Sequence, residues 1–167
     1  MERTSNIVNR IVEIAIFIII SIMAVVVFAE VIFRYALLLP IFWTEEFARY
    51  CLVWSSLLGA GVALKKGEHI AVSFFSDRLP KGIQMGTALS VQVFIAALLV
   101  VIFWGGVCLV IITRHQLSPA MRIPMSWPYM AVPVGFLIML LHEFTFIYVR
   151  LKEMITAGRY NDGVIGR

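Results

Sequence analysis

Charge is scarce in this chain. Only 14% of its 167 residues are Asp, Glu, Lys or Arg, against about a quarter in soluble globular domains. Hydrophobic residues make up 61%, and the mean hydropathy is +0.94. These residues come in unbroken blocks, and blocks longer than about 18 residues match bilayer thickness rather than the core of a small domain. A soluble fold is thereby excluded. Cysteine is also scarce: Cys51 and Cys108 both lie inside apolar blocks, which argues against a disulfide framework or a metal cluster. Absent too are a nucleophile–base pair, metal-ligand spacing, a phosphate-binding glycine loop and a dinucleotide motif, so neither an enzyme nor a cofactor is expected. The formal charge of +4 does not point to nucleic acid. The basic residues sit at the ends of the apolar blocks, where snorkelling and anionic lipid account for them.

What is present reads as an all-α integral membrane protein with four transmembrane helices, over about 11–33, 45–64, 83–113 and 127–149. The first block is too long for a removable signal peptide and has no convincing small-residue cleavage site, so it is expected to stay as a helix. Pro40 ends the segment after it. Thr44 is placed to cap the second helix, with Glu45 and Glu46 in its first turn, where the helix dipole favours negative charge. Ser55, Gly59 and Ala63 recur every four residues, a small-residue face that admits close approach of another helix. Between Lys65 and Lys81 the apolar residues have helical spacing over too short a run to span. A short interfacial amphipathic helix over about 68–79, ending at Pro80, is expected there. The third block exceeds one perpendicular crossing, and Gln84 and Gln92 place its first turns among headgroups. Gly105 and Gly106 offer a bend, Pro133 a kink in the fourth block, and residues 150–167 a polar tail.

Four crossings put both termini on one side. Ten Lys and Arg residues fall on that side and three on the other, with Arg49 inside the second block. The positive-inside rule then makes the termini cytoplasmic, with Trp43, Trp127 and Tyr129 at the outer interface.

Charges within apolar blocks cost about 2.5–3.5 kcal/mol each at a helix centre, so they are the first candidates for function. Glu30 and Arg34 are spaced as a helical pair. Glu45 and Glu46 precede Arg49 by four and three residues, so the three can share one side of the helix start. Such groups act either as interfacial ion pairs that fix depth or as a polar contact with a partner subunit. His142 and Glu143 lie deeper. They suit a contact to a neighbouring helix or to the Lys65–Lys66–His69 region better than a proton or ion site, since few polar groups share their depth. The stripe Trp43, Phe47, Tyr50 and Trp54 reads as lipid-facing or packing surface.

The run Trp43-Thr44-Glu45-Glu46-Phe47-Ala48-Arg49-Tyr50, followed by Trp54, Leu58-Gly59-Ala60, Lys66 and His69-Ile70, resembles the hallmark stretch of a known family. That family is the small membrane subunit (DctQ family) of TRAP transporters, the tripartite ATP-independent periplasmic carriers. Arg34 before this run fits the resemblance. So does a second stretch with Ser118-Pro119, Ile123-Pro124, Trp127, Tyr129 and Pro133-Val134-Gly135. The resemblance covers nearly the whole chain. It implies a subunit of a sodium-coupled importer of organic acids, of the C4-dicarboxylate or sialic acid type, in a bacterial inner membrane. It further implies a stable pairing with a separate large membrane subunit, transient contact with a periplasmic solute-binding protein, and phospholipid around both. On this footing Glu45, Glu46 and Arg49 would fix helix two and the outer contact. Ser55, Gly59 and Ala63 would supply close packing, and Lys66 with His69 an inner anchor.

Two other classes stand beside it. A haem-carrying anchor of a respiratory complex needs axial histidines at one depth, and His69, His115 and His142 are poorly placed for that. A self-sufficient proton-coupled exporter needs a mid-membrane carboxylate, and only Glu143 comes near.

Overall fold

A run of Ile, Val and Leu such as residues 14–20 has high strand propensity in water. In hydrocarbon the same run must satisfy every backbone N–H and C=O within its own segment, and the α-helix does that. The computed structural model describes residues 2–39, 41–76 and 81–165, with the side chains of 67–85, 87–89, 150 and 153–165 and the first few residues left aside. The elements are α1 (Glu2–Tyr35), α2 (Thr44–Ser76), α3 (Lys81–Thr113), the single turn α4 (Ser126–Tyr129) and α5 (Ala131–Ile165). Four stretches are long and apolar enough to cross a membrane: Ser5–Tyr35, Thr44–Lys66, Ser90–Thr113 and Ser126–Val149. The all-helical, four-span reading holds, and among the described residues there is no strand.

The helices stand in a row. α1 packs on α2, α2 on α5 and α5 on α3, while α1 and α3 lie at the two edges. The central position of α5 shows in its burial: a third of its apolar window is enclosed, against 6% for α1. The edge helices turn large side chains outward, with Phe17, Phe28, Phe94 and Trp104 all about 70% exposed, as lipid-facing positions should be. Leu99, Met139 and Leu140 form the small core, flanked by Leu64, Ile95, Phe103 and Phe136.

Close helix approach uses different glycines from those expected. A Cβ on Gly135 would come within 3.0 Å of Leu57, and one on Gly106 within 2.8 Å of Val132 and 3.1 Å of Pro133. Gly61 is held nearly as tightly against Ile138. On Gly59 a Cβ would meet nothing within 4 Å, and Ala63 is exposed. Gly59 and Ala63 therefore make no close approach inside this chain, where α5 meets α2 along Leu57 and Gly61. Gly105 is equally open, and α3 runs through Gly105 and Gly106 as one element.

Several boundaries differ from expectation. Backbone hydrogen bonding carries α2 on to Ser76, so residues 68–76 continue that helix rather than forming a separate interfacial one; residues 77–79 lie outside the described residues. Residues 150–165, expected as a tail, continue α5. Thr44 is not the cap. The carbonyl of Trp43 accepts the first helical bond, from Phe47 N–H at 3.0 Å, while the buried Thr44 hydroxyl donates to the Ile41 carbonyl at 2.8 Å. Pro133 does not kink a running helix. α5 begins two residues before it, where a missing N–H is harmless.

Candidate functional site

Polar side chains collect at both ends of the row. At the Trp43 end, Arg34 in the last turn of α1 pairs with Glu30 one turn back and reaches across to Glu45 of α2 at 2.8 Å. The i,i+4 spacing brings Glu30 and Arg34 together, and the short connection to α2 returns Glu45 to the same level. Glu46 faces the other way and is buried. Its carboxylate accepts the Tyr50 hydroxyl one turn on, and the backbone N–H groups of Ala120 at 2.8 Å and Met121 at 3.1 Å. Tyr50 thereby belongs to a polar cluster, rather than only to the aromatic stripe in which it was expected. In that stripe Trp43 and Phe47 meet edge to face with centroids 6.2 Å apart, and Trp54 is half-buried.

The loop that Glu46 grips is itself well ordered. Ser118 N–H donates to the Ile123 carbonyl at 2.9 Å, Ile123 N–H donates back to the Ser118 hydroxyl, and Leu117 bridges to Pro124. Arg122 closes this turn at a φ of 52°, a left-handed conformation uncommon for a side chain of its size. Nothing in the residue types of 118–123 announces that its backbone donors would find a carboxylate more than 70 positions earlier. The two proline pairs show only a turn.

Arg49 does not join Glu45 and Glu46 in the ion pairing expected of the three. Among the described residues the ion pairs are Arg34–Glu30, Arg34–Glu45 and Lys66–Glu13. Arg49 lines an open cleft of about 440 Å3 with Phe42, Tyr50, Val53, Pro128 and Tyr129, beside both glutamates.

At the Lys65 end, His142 and Glu143 are 0% and 1% exposed. His142 Nδ1 lies 2.9 Å from the hydroxyl of Ser5 on α1. The contact of His142 to a neighbouring helix is thus made to α1. Lys65 and Lys66 also turn to α1, Lys65 to Asn6 at 2.7 Å and Lys66 to Glu13 at 2.8 Å. Asn9 donates to Glu13 at 3.0 Å. The side chain of His69 lies outside the described residues. Sequence reading passed over Ser5, Asn9 and Glu13, although their i, i+4, i+8 spacing marks a polar stripe on α1. Among the described residues His142 Nε2 and Asn9 Oδ1 are buried with no hydrogen-bond partner. Also among them, no group of three or more His, Cys, Asp or Glu is arranged to hold a metal ion.

Both clusters tie helix ends together, and the Trp43-end cluster is built from the Trp-x-Glu-Glu run itself. Comparison with known proteins identifies the family. Residues 23–153 match the family described as tripartite ATP-independent periplasmic transporters, DctQ component. The chain belongs to the DctQ family of TRAP transporter small membrane subunits. This DctQ-family chain is 30% identical over 122 residues to a sialic acid TRAP transporter small permease protein, SiaQ, of Vibrio cholerae, covering 70% of this chain and 67% of that one. It is 36% identical over 96 residues to an isethionate TRAP transporter permease protein, DctMQ, of Oleidesulfovibrio alaskensis, 56% of this chain but only 15% of that protein. It is 25% identical over 135 residues to a sialic acid TRAP transporter permease protein, SiaT, of Haemophilus influenzae, where 81% of this chain spans 21% of the relative.

Proposed function

We propose that this chain is the static scaffold subunit of a sodium-coupled, binding-protein-dependent importer of organic acids, of the C4-dicarboxylate or sialic acid type. In that role it packs against a large transport subunit, widens and stabilises it, and meets a periplasmic solute-binding protein transiently. The assembly lies in a bacterial inner membrane with phospholipid around it, and both termini of this chain are cytoplasmic. The observation that carries the reading is the family match together with its coverage. Alignments covering 56% and 81% of this chain span only 15% and 21% of two longer permeases, the relation expected of one part of a larger transport machine.

Features of the fold support a packing role over a catalytic one. The Ser55–Gly59–Ala63 face of α2 is open, and small residues on an open membrane helix suit close approach by another helix. Glu45 and Glu46 hold the Trp43 end of α2 in place, Arg49 stands at the outer contact, and Lys66 with His69 anchors the other end. His142 and Glu143 serve as structural polar contacts, and the chain is not an enzyme. The test is a mild-detergent pull-down of the tagged chain from its native membrane. Recovery of a much larger multi-helix protein in equal amount is expected. A chain recovered alone under several gentle conditions, or with redox subunits, overturns the reading.

A further inference from the structure

The cleft at the Trp43 end has a charge pattern that its own residues do not complete. Arg49 lies five residues into α2, about 7.5 Å from the helix start by helical rise. Its side chain is exposed, and it is in none of the ion pairs among the described residues. The carboxylates around it are already engaged. Arg34 holds Glu30 and one oxygen of Glu45, while Tyr50, Ala120 and Met121 hold Glu46. A guanidinium near the membrane boundary in this condition reaches for the anion that lipid supplies at that level, a headgroup phosphate. Arginine grips phosphate through two parallel N–H bonds, and Tyr129 lines the same cleft.

The sign of the surroundings narrows the headgroup further. Among the charged residues lining the cleft and their ion-pair partners, Arg34 and Arg49 stand against Glu30, Glu45 and Glu46, an excess of one negative charge. A headgroup that is only anionic adds to that excess. One that carries a primary ammonium beside its phosphate does not, and it brings N–H donors for Glu45, which lines the cleft with its side chain 64% exposed. Phe42, Val53 and Pro128 give the cleft apolar walls where the acyl chains begin. Its volume of about 440 Å3 falls in the range of small-ligand sites, about 300–1,000 Å3.

We propose that this cleft binds a phospholipid with a zwitterionic, primary-amine headgroup, the phosphate held by Arg49 and the ammonium by Glu45. The proposal rests on the membrane placement of the four spans, and lipid retention by the isolated chain is read separately from recovery of a large subunit.

The experiment is native mass spectrometry of the full chain released from nanodiscs containing equal parts phosphatidylethanolamine, phosphatidylglycerol and phosphatidylcholine. The unaltered chain should retain phosphatidylethanolamine about tenfold over each of the others, equivalent to about 1.4 kcal/mol. Arg49→Gln should abolish that retention. Glu45→Gln should shift the preference toward phosphatidylglycerol, because it removes both the acceptor and the negative excess. Arg114→Gln, an exposed cation away from the cleft, should change nothing. The selectivity of the unaltered chain tests the idea even where a variant does not fold. Retention of the three lipids in equal amounts, or an Arg49→Gln chain that keeps phosphatidylethanolamine as before, overturns the proposal.

Discussion

The carboxylate of Glu46 accepts the backbone N–H of Ala120 at 2.8 Å, across 74 positions of sequence. One oxygen of a side chain in the first turn of α2 thereby holds the loop between α3 and α4, taking Met121 N–H as well. Backbone donors that are even partly shielded from water are costly to leave unpaired. The bond ties the start of α2 to the loop that follows α3, two parts of the row that otherwise meet mainly through α5.

Replacement of Glu46 should therefore loosen a distant loop. Glu46→Ala should lower the thermal midpoint in detergent more than Glu46→Gln, because the amide keeps one acceptor oxygen. Amide hydrogen exchange at Ala120 and Met121 should rise in both variants. Unchanged exchange there would mean that the loop is held by its own Ser118–Ile123 bonds alone.

The glycines separate into two classes that alanine can distinguish. Gly106→Ala forces a Cβ to within 2.8 Å of Val132 and close to the Pro133 backbone, and should cost about 1–3 kcal/mol by overpacking. Gly59→Ala and Gly105→Ala enter open space and should be neutral or stabilising by up to about 1 kcal/mol in the isolated chain. Thermal unfolding of the three variants side by side checks the ranking.

Ser5→Ala leaves the Nδ1 of a fully buried histidine without its bond. The expected cost is about 0.5–2 kcal/mol, the range seen for interhelical hydrogen bonds in membranes. Combining Ser5→Ala with His142→Phe should recover part of it, since both polar partners are then gone. A fully additive double variant, measured by the same unfolding assay, would show that the two residues do not act together.

On the scaffold reading, a bulky residue on the open face of α2 harms assembly rather than folding. Gly59→Phe should leave helix content and thermal midpoint of the isolated chain near those of the original. It should lower recovery of the large subunit several-fold in a pull-down. Arg49→Ala should likewise lower complex yield or transport without altering substrate preference. A changed preference would place this chain in the substrate site.

Much of the fold was legible from residues alone. Each apolar block is long enough to span, and in hydrocarbon a spanning block has one main-chain solution, so α1 to α3 needed no knowledge of their neighbours. Glu30–Arg34 was legible for the same reason, since i,i+4 spacing is a property of one helix. Boundaries were harder. Lys65 to Ser76 carries polar residues that mimic an interfacial linker, yet the backbone continues α2 through them. Thr44 has a capping side chain, but the loop before it offered the Ile41 carbonyl as a partner.

By itself, then, the sequence determined the solvent, the number of crossings and the family. Those follow from local length, composition and order. Only the tertiary structure decided the row in which the helices stand, and with it which glycines meet a neighbour. It also decided that Glu46 holds a distant loop while Arg49 faces an open cleft, and that His142 reaches Ser5 rather than the lysines. Residues on one helix have their spacing set by its 1.5 Å rise. Residues on different helices meet only where packing has chosen which faces turn together, and lipid, as apolar as the helices themselves, leaves that choice to close fit and hydrogen bonds.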